Sequence, residues 1–271
     1  MSPRPHALQD LSWPAFKARL ADEPVILLPL GSQEQQGPYA PMGDYVLAER
    51  IALQAAERAG AIAAPVLPFG YAPFFQSFAG GVQLRAESFM AVLEDMITSF
   101  LDHGLTRVIV VNGHSTNAPL IADVAHRLRA RTGLCVPAIH LWRTLPDALW
   151  AEVHGPEAAA ARGHGADPVT SVAMHLTPDL VLPERVAGAG RQTLFGLPTT
   201  SGFSGMVFKG AEIAVPLQAA EVAPDGIGQG NPAMASAAAG AAFTEWLVAY
   251  VAEFAAHFRC CDPRDPGQGP A

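Results

Sequence analysis

The sequence predicts an α/β fold, with a central and mostly parallel sheet flanked by helices on both faces. Three observations carry this. Short apolar runs alternate with stretches of helical periodicity through the first half of the chain. Those runs are continuously apolar, the pattern of strands buried on both faces. Each strand–helix pair is closed by turn residues, as in repeated βα units.

In order, Leu11 to Leu20 reads as a short amphipathic helix, with Ser12 as N-cap and Trp13, Phe16 and Leu20 on one face. Pro24 to Leu30 (PVILLPL) is the first buried strand, and a polar loop from Gly31 to Gly43 follows it. Tyr45 to Ala59 reads as a helix, Ala61 to Leu67 as the second strand, and Phe69 to Gly81 as a loop rich in aromatics and glycine. Ser88 to His103 is a helix stopped by Gly104, and Arg107 to Val111 (RVIVV) is the third strand. The loop Asn112 to Asn117, a helix over Ala118 to Arg131 and a fourth strand over Leu134 to Leu141 complete the regular half.

From Trp142 to Gly230 the pattern loosens. Val169 to Leu176 is the clear helix there, and Thr199 to Gly205 reads as a polar, glycine-bearing loop. A final helix is expected over Ala233 to Phe258, with Trp246, Leu247 and Tyr250 on its apolar side. Trp142, Trp150 and Trp246 read as core or interface residues. Residues 1–271 are expected to form a single domain, with 262–271 a flexible Pro/Gly/Asp tail.

Composition narrows the function. Half of the 271 residues are hydrophobic (50%) and 15% are charged, which describes a well-buried globular chain. A net charge of −8 without a basic stretch leaves nothing to neutralise phosphates, so no nucleic-acid partner is expected. No apolar run approaches the roughly 20 residues that span a bilayer, and no basic-then-apolar leader is seen, so no membrane partner is expected. The three cysteines, Cys135, Cys260 and Cys261, have neither zinc-ribbon spacing nor a disulfide layout, which predicts a cytoplasmic protein.

In parallel sheets ligands bind beyond the carboxyl ends of the strands. Two loops in that position hold metal-type ligands. GSQEQQGPYAPMGD, after the first strand, carries Glu34 and Asp44; VNGHSTN, at the end of the third, carries His114. Two carboxylates and an imidazole form a hard site suited to zinc, manganese or ferrous iron. Three protein ligands leave a position for water, whose pKa a bound ion lowers to about 7. The loop after the first strand has acid and amide side chains rather than a glycine-rich phosphate cradle, which argues against a nucleotide- or flavin-binding protein.

Taken together these loops resemble the creatininase (creatinine amidohydrolase) family. Gly31 to Asp44 is similar to that family's GS-x-EQHGPHLP loop and following Asp, and Asn112 to Asn117 to its NGHGGN segment. His164 to Ser171 (HGADPVTS), Gly226 to Pro232 (GIGQGNP) and Phe78 to Leu84 (FAGGVQL) match further family segments in the same order. The resemblance implies a three-layer α/β sandwich, a hydrolase acting on amide-like bonds, and a homo-oligomer, often a hexamer. It also implies a first metal on residues matching Glu34, Asp44 and His114, a second sharing Asp44, and a catalytic histidine at His164.

The chain departs from that pattern where the second metal's own ligands belong: Gln36 stands for a His and Thr116 for a Glu, while Val169 replaces a further Glu. The lost residues serve one ion and the other ion's set survives, so one divalent metal per chain is expected. Gly163 stands where creatininases proper are acidic, which predicts a substrate other than creatinine. Gln36, Tyr39, Ser115, Thr116 and Asp167 are the candidate substrate contacts, with His154, Ser201 and Ser204 ranked behind them; Asp167 is also a candidate to orient His164. The expected reaction is hydrolysis of a cyclic amide or related C–N bond in a small polar molecule. A lactone or a C–C bond in a cyclic keto-polyol is an alternative on the same site, and a non-catalytic scaffold with a degenerate metal site is a third reading.

Overall fold

The structure, a computed structural model, describes residues 5–269 except 186, 189, 191 and 201. Its centre is a four-stranded parallel sheet in the order β2–β1–β3–β4, from Ile26–Leu30 (β1), Ile62–Ala63 (β2), Val108–Asn112 (β3) and Ala138–His140 (β4). β1 pairs along its whole length with β3, Ile26 opposite Val108 and Leu30 opposite Asn112. Every β1 and β3 side chain is buried, as continuously apolar strands between two layers require.

Alternation along the strands divides the core. Leu27, Ile109, Val111 and Ile139 face one layer, made by helices Tyr45–Ala59 (α2), Asp147–His154 (α5), Val169–Leu176 (α7) and Ala237–Arg259 (α9). Ile26, Leu28, Val108 and Val110 face the other, made by Ala86–Asp102 (α3) and Ala118–Thr132 (α4). Helix, sheet and helix form the three layers of the expected sandwich. The amino-terminal helix Trp13–Arg19 (α1) begins at Ser12, whose hydroxyl accepts the Ala15 N–H at 3.4 Å.

The second strand is much shorter than the expected Ala61 to Leu67. Pro29 is the cause: its carbonyl still accepts the Leu67 N–H at 3.0 Å, but it has no N–H to donate toward that side. Pro65 and Pro68 remove donors from the facing segment, leaving an isolated bridge between Leu30 and Leu67. Pro137 likewise delays the fourth strand to Ala138–His140. The last helix begins at Ala237 rather than Ala233, because Pro232–Met234 forms a 3₁₀ turn and Ser236 is the cap, accepting the Ala239 N–H at 3.1 Å. Trp246 and Tyr250 lie on its outer side, 38% and 43% exposed, and the buried stripe is Phe243, Leu247, Val248, Val251 and Ala255. That stripe repeats every three to four residues, and 246 and 250 fall beside it rather than on it.

The segment after β4 carries more structure than its composition announces. α5 and Ala158–Ala161 (α6) precede α7; a hairpin of Gly205–Phe208 (β5) and Ala211–Ala214 (β6) and the short Ala219–Val222 (α8) follow it. The hairpin turns on Lys209 and Gly210, both at positive φ (50° and 81°), the geometry of a two-residue loop. At the carboxyl end Pro263 is buried and its carbonyl accepts the Cys135 N–H at 2.8 Å, so the last ten residues begin docked on the domain.

Candidate metal centre

The site is built where β1 and β3 end. Beyond β1 the chain turns into the loop bearing Glu34 and returns through Asp44 into α2; beyond β3 it bears His114. All three side chains are buried, 2%, 2% and 4% exposed, and one ligand atom from each lies within 4.8 Å of the others. His114 Nδ1 is 3.0 Å from Asp44 Oδ2 and 3.3 Å from Glu34 Oε1. Two ligand atoms on one tetrahedral ion, each about 2.1 Å from it, stand about 3.4 Å apart. The two spacings to His114 are close to that value, and the two carboxylates lie within 4.8 Å of each other.

Second contacts fix these groups. Asp44 Oδ1 accepts the Ser32 N–H at 2.7 Å, leaving Oδ2 turned to the imidazole. Asn112 clamps the His114 backbone from both sides: its Oδ1 accepts the His114 N–H at 3.2 Å and its Nδ2 donates to the His114 carbonyl at 2.6 Å. His114 Nε2 faces the Tyr71 carbonyl at 3.3 Å and the Thr116 hydroxyl. With an ion in place of the shared proton, an Nε2–H donated to that carbonyl would leave Nδ1 as the ligand nitrogen, the orienting arrangement metal-bound imidazoles use.

Burial disfavours the His114 imidazolium, but the Glu34 and Asp44 carboxylates outweigh it and hold the pKa well above the ordinary imidazole value. Burial raises the pKa of Glu34 and of Asp44, against the opposing pull of His114. Glu34 Oε2 is buried with no hydrogen-bond partner among the described residues. Two acids crowd one imidazole, and one oxygen is left bare. A divalent cation fits this set, since it neutralises both carboxylates and gives the bare oxygen a partner.

The centre opens into a cavity of about 650 Å³. Gln36, Ser115, Thr116, His164 and Asp167 line it together with the three acid and imidazole groups. Gln36 is buried, and its Nε2 donates to Glu34 Oε1 at 3.2 Å. Tyr39 is not among the residues lining the cavity; it is half-buried, and its carbonyl accepts the Leu182 N–H at 2.8 Å. Ser201 lies outside the described residues. Ser204 pairs with the Thr200 hydroxyl at 2.9 Å and does not line the cavity.

His164 stacks on Phe75 with ring centres 4.3 Å apart and meets the edge of Phe203 at 5.9 Å. One polar contact of the ring is Gln35, whose Nε2 lies 2.9 Å from His164 Nε2. Gln35 Oε1 accepts the Gly37 N–H at 2.7 Å, so the amide must present its NH₂ to the ring. His164 Nε2 is therefore an acceptor, and the neutral ring carries its proton on Nδ1. Gly226 leaves room for that amide: a Cβ there would lie 2.5 Å from Gln35 Oε1. The role of Gln35 is not legible in the sequence, because its contact with His164 spans 129 residues of chain.

Asp167 does not orient His164. Its Oδ2 lies 2.8 Å from His154 Nε2 and accepts the Ser171 hydroxyl at 2.7 Å, while Oδ1 accepts the Ser171 N–H at 3.0 Å. Burial raises its pKa, and the Ser171 and His154 contacts oppose the rise. Helix α5 brings His154 to Asp167, and that helix was not legible in the sequence.

Comparison with known proteins agrees with this architecture. Residues 9–255 match the creatininase family (creatinine amidohydrolase). Creatinine amidohydrolase of Pseudomonas putida is 30% identical over 192 residues, 65% of this chain and 74% of the relative. Mycofactocin precursor peptide peptidase of Mycobacterium ulcerans is 29% identical over 63% of this chain and 66% of the relative. A solved structure described as "Creatininase Mn" superposes with a TM-score of 0.75 at 26% identity, covering 92% of this chain and 96% of that one. With a match running from α1 almost to the end of α9, the chain belongs to the creatininase family.

Proposed function

We propose that this chain hydrolyses a C–N bond of a small polar amide, with Glu34, Asp44 and His114 holding one divalent ion and His164 handling the proton. The observation that carries the reading is the convergence of three buried ligand atoms within 4.8 Å while Glu34 Oε2 lacks a partner among the described residues. A bound zinc, manganese or ferrous ion supplies Lewis acidity toward a carbonyl and lowers the pKa of water to about 7.

The chain's own groups do the rest. Hydrolysis puts a hydroxyl on the carbonyl carbon and a proton on the departing nitrogen. His164 lines the cavity and can supply that proton by taking one from the attacking water and passing it on. Phe75 and Phe203 hold the ring between them. Gln36, Ser115 and Thr116 offer an amide and two hydroxyls to polar groups of the substrate. Gln36 and Thr116 in place of ionisable ligands support one ion per chain rather than two.

The test is element analysis of purified protein with a hydrolysis screen over cyclic and open amides. About one tightly held transition metal per chain, with turnover lost on chelation and regained on reloading, is the expected result. Absence of metal after incubation with zinc, manganese or iron would favour the scaffold reading. The family resemblance also carries the expectation of a cytoplasmic homo-oligomer, checked by light scattering. No helix among the described residues is long and apolar enough to cross a membrane.

A further inference from the structure

The cavity holds charges that the metal centre does not use. The carboxylates lining it are Glu34, Asp44, Asp147 and Asp167. Glu34 and Asp44 belong to the centre, and both Asp167 oxygens accept bonds from Ser171 or face His154. Against them stand two guanidiniums, Arg143 and Arg162, which also line the cavity. Arg162 Cζ lies over the Trp150 ring, 4.4 Å from its centre, and its Nη2 donates to Asp147 at 2.6 Å. Asp147 is 91% exposed at its side chain, so this is a solvated surface pair of low strength and the other Arg162 N–H groups remain to be used. Arg143 has no hydrogen-bond or ion-pair acceptor among the described residues, and its charge is felt by His140, where burial first and Arg143 second lower the pKa.

Resting on the hydrolase reading, we infer that the substrate is an anionic amide, one whose scissile C–N bond sits in a molecule that also carries a carboxylate, and that Arg143 and Arg162 receive it. With an ion balancing Glu34 and Asp44, Asp147 paired with Arg162, and the Asp167 carboxylate enclosed by Ser171 and His154, the exposed Arg143 is the charged group of the lining with no acceptor among the described residues. A guanidinium presents paired N–H groups in the geometry of a carboxylate, and one held over a ring is already ordered. Phe74, Phe75, Trp142 and Phe203 wall the same cavity and suit a flat body between the two polar ends.

The probe pair is hippurate and hippuramide, which share a benzoyl amide and differ in the terminal charge. Calorimetry is run on metal-loaded protein, so that Glu34 and Asp44 stay balanced; the Arg variants, which leave the ion in place, separate carboxylate binding at the guanidiniums from binding to the ion, and chromatography of the cell contents checks that hippuramide is intact. Hippurate should bind at least about tenfold more tightly than hippuramide, the scale of one charge-assisted contact. Arg143→Ala should remove most of that preference without changing hippuramide binding, Arg143→Lys should restore part of it, and Arg162→Ala should weaken hippurate binding further in the double variant. Circular dichroism confirms the fold of each. Equal binding of the two probes, no binding of either, or a preference that survives the double Arg143→Ala, Arg162→Ala variant overturns the inference. The hydrolase reading fails separately: protein that takes up no metal yet prefers hippurate would sink that reading and leave the anion site standing, whereas a metal-loaded hydrolase indifferent to charge would do the reverse.

Discussion

Two buried carboxylate–imidazole clusters lie along one cavity, and they differ in how completely they are satisfied. Around Asp167 every acceptor has a partner: His154 Nε2 at 2.8 Å, the Ser171 hydroxyl at 2.7 Å and the Ser171 N–H at 3.0 Å. Around His114, two carboxylates compete for one ring nitrogen, and Glu34 Oε2 has no partner among the described residues. The first cluster is closed and can serve the fold by itself, tying α5 to the start of α7. The second is open, because leaving a buried carboxylate oxygen bare is costly unless something else arrives. Residue types alone would not separate them; the count of satisfied atoms does.

The largest expected effect falls on the open cluster. Glu34→Ala or His114→Ala should reduce metal content from about one per chain to near zero and abolish hydrolysis. Added ion at about 100 times its dissociation constant should stabilise the wild type by about 2.7 kcal/mol and these variants not at all, read as a melting shift. A variant that keeps full metal would break the comparison. Next, His164→Ala should lower kcat by roughly 10²–10⁴ with metal content unchanged, as for loss of a general acid–base group. Unchanged turnover would remove His164 from the mechanism.

The closed cluster should answer in the opposite currency of measurement. Asp167→Ala should leave metal content intact and cost about 3–5 kcal/mol, the scale for breaking a buried pair, seen in denaturant unfolding. Loss of metal with little loss of stability would reverse the roles assigned to the two clusters. The mildest prediction converts the open cluster further: Gln36→His with Thr116→Glu should raise stoichiometry to about two ions per chain. An unchanged count would mean that those two positions do not explain why a single ion is expected.

How much was readable beforehand follows from the same physics. β1, β3 and α2 were legible because their signals are local: continuous apolar runs for the strands, and a helical repeat expected over about Tyr45 to Ala59, where the helix lies. Glu34, Asp44 and His114 were legible as polar residues at strand ends, which the sheet then carries together. The hairpin of β5 and β6 was not, although Lys209–Gly210 is a two-residue turn signal, because its strands are short and mostly solvent-facing. The partner of Asp167 was not legible either. His164 is the nearer histidine in sequence, and only the packing of α5 brings His154 within bonding distance.

The crossing of two loops beside His164 has a consequence for substitution. A Cβ at Gly163 would lie 2.3 Å from the Gly230 nitrogen and 2.9 Å from its Cα, closer than real side chains sit to backbone. Any side chain introduced at position 163, an acid included, therefore has to displace the 226–232 segment that passes over it. Residues on that segment set what position 163 can hold, so the two loops can change only together.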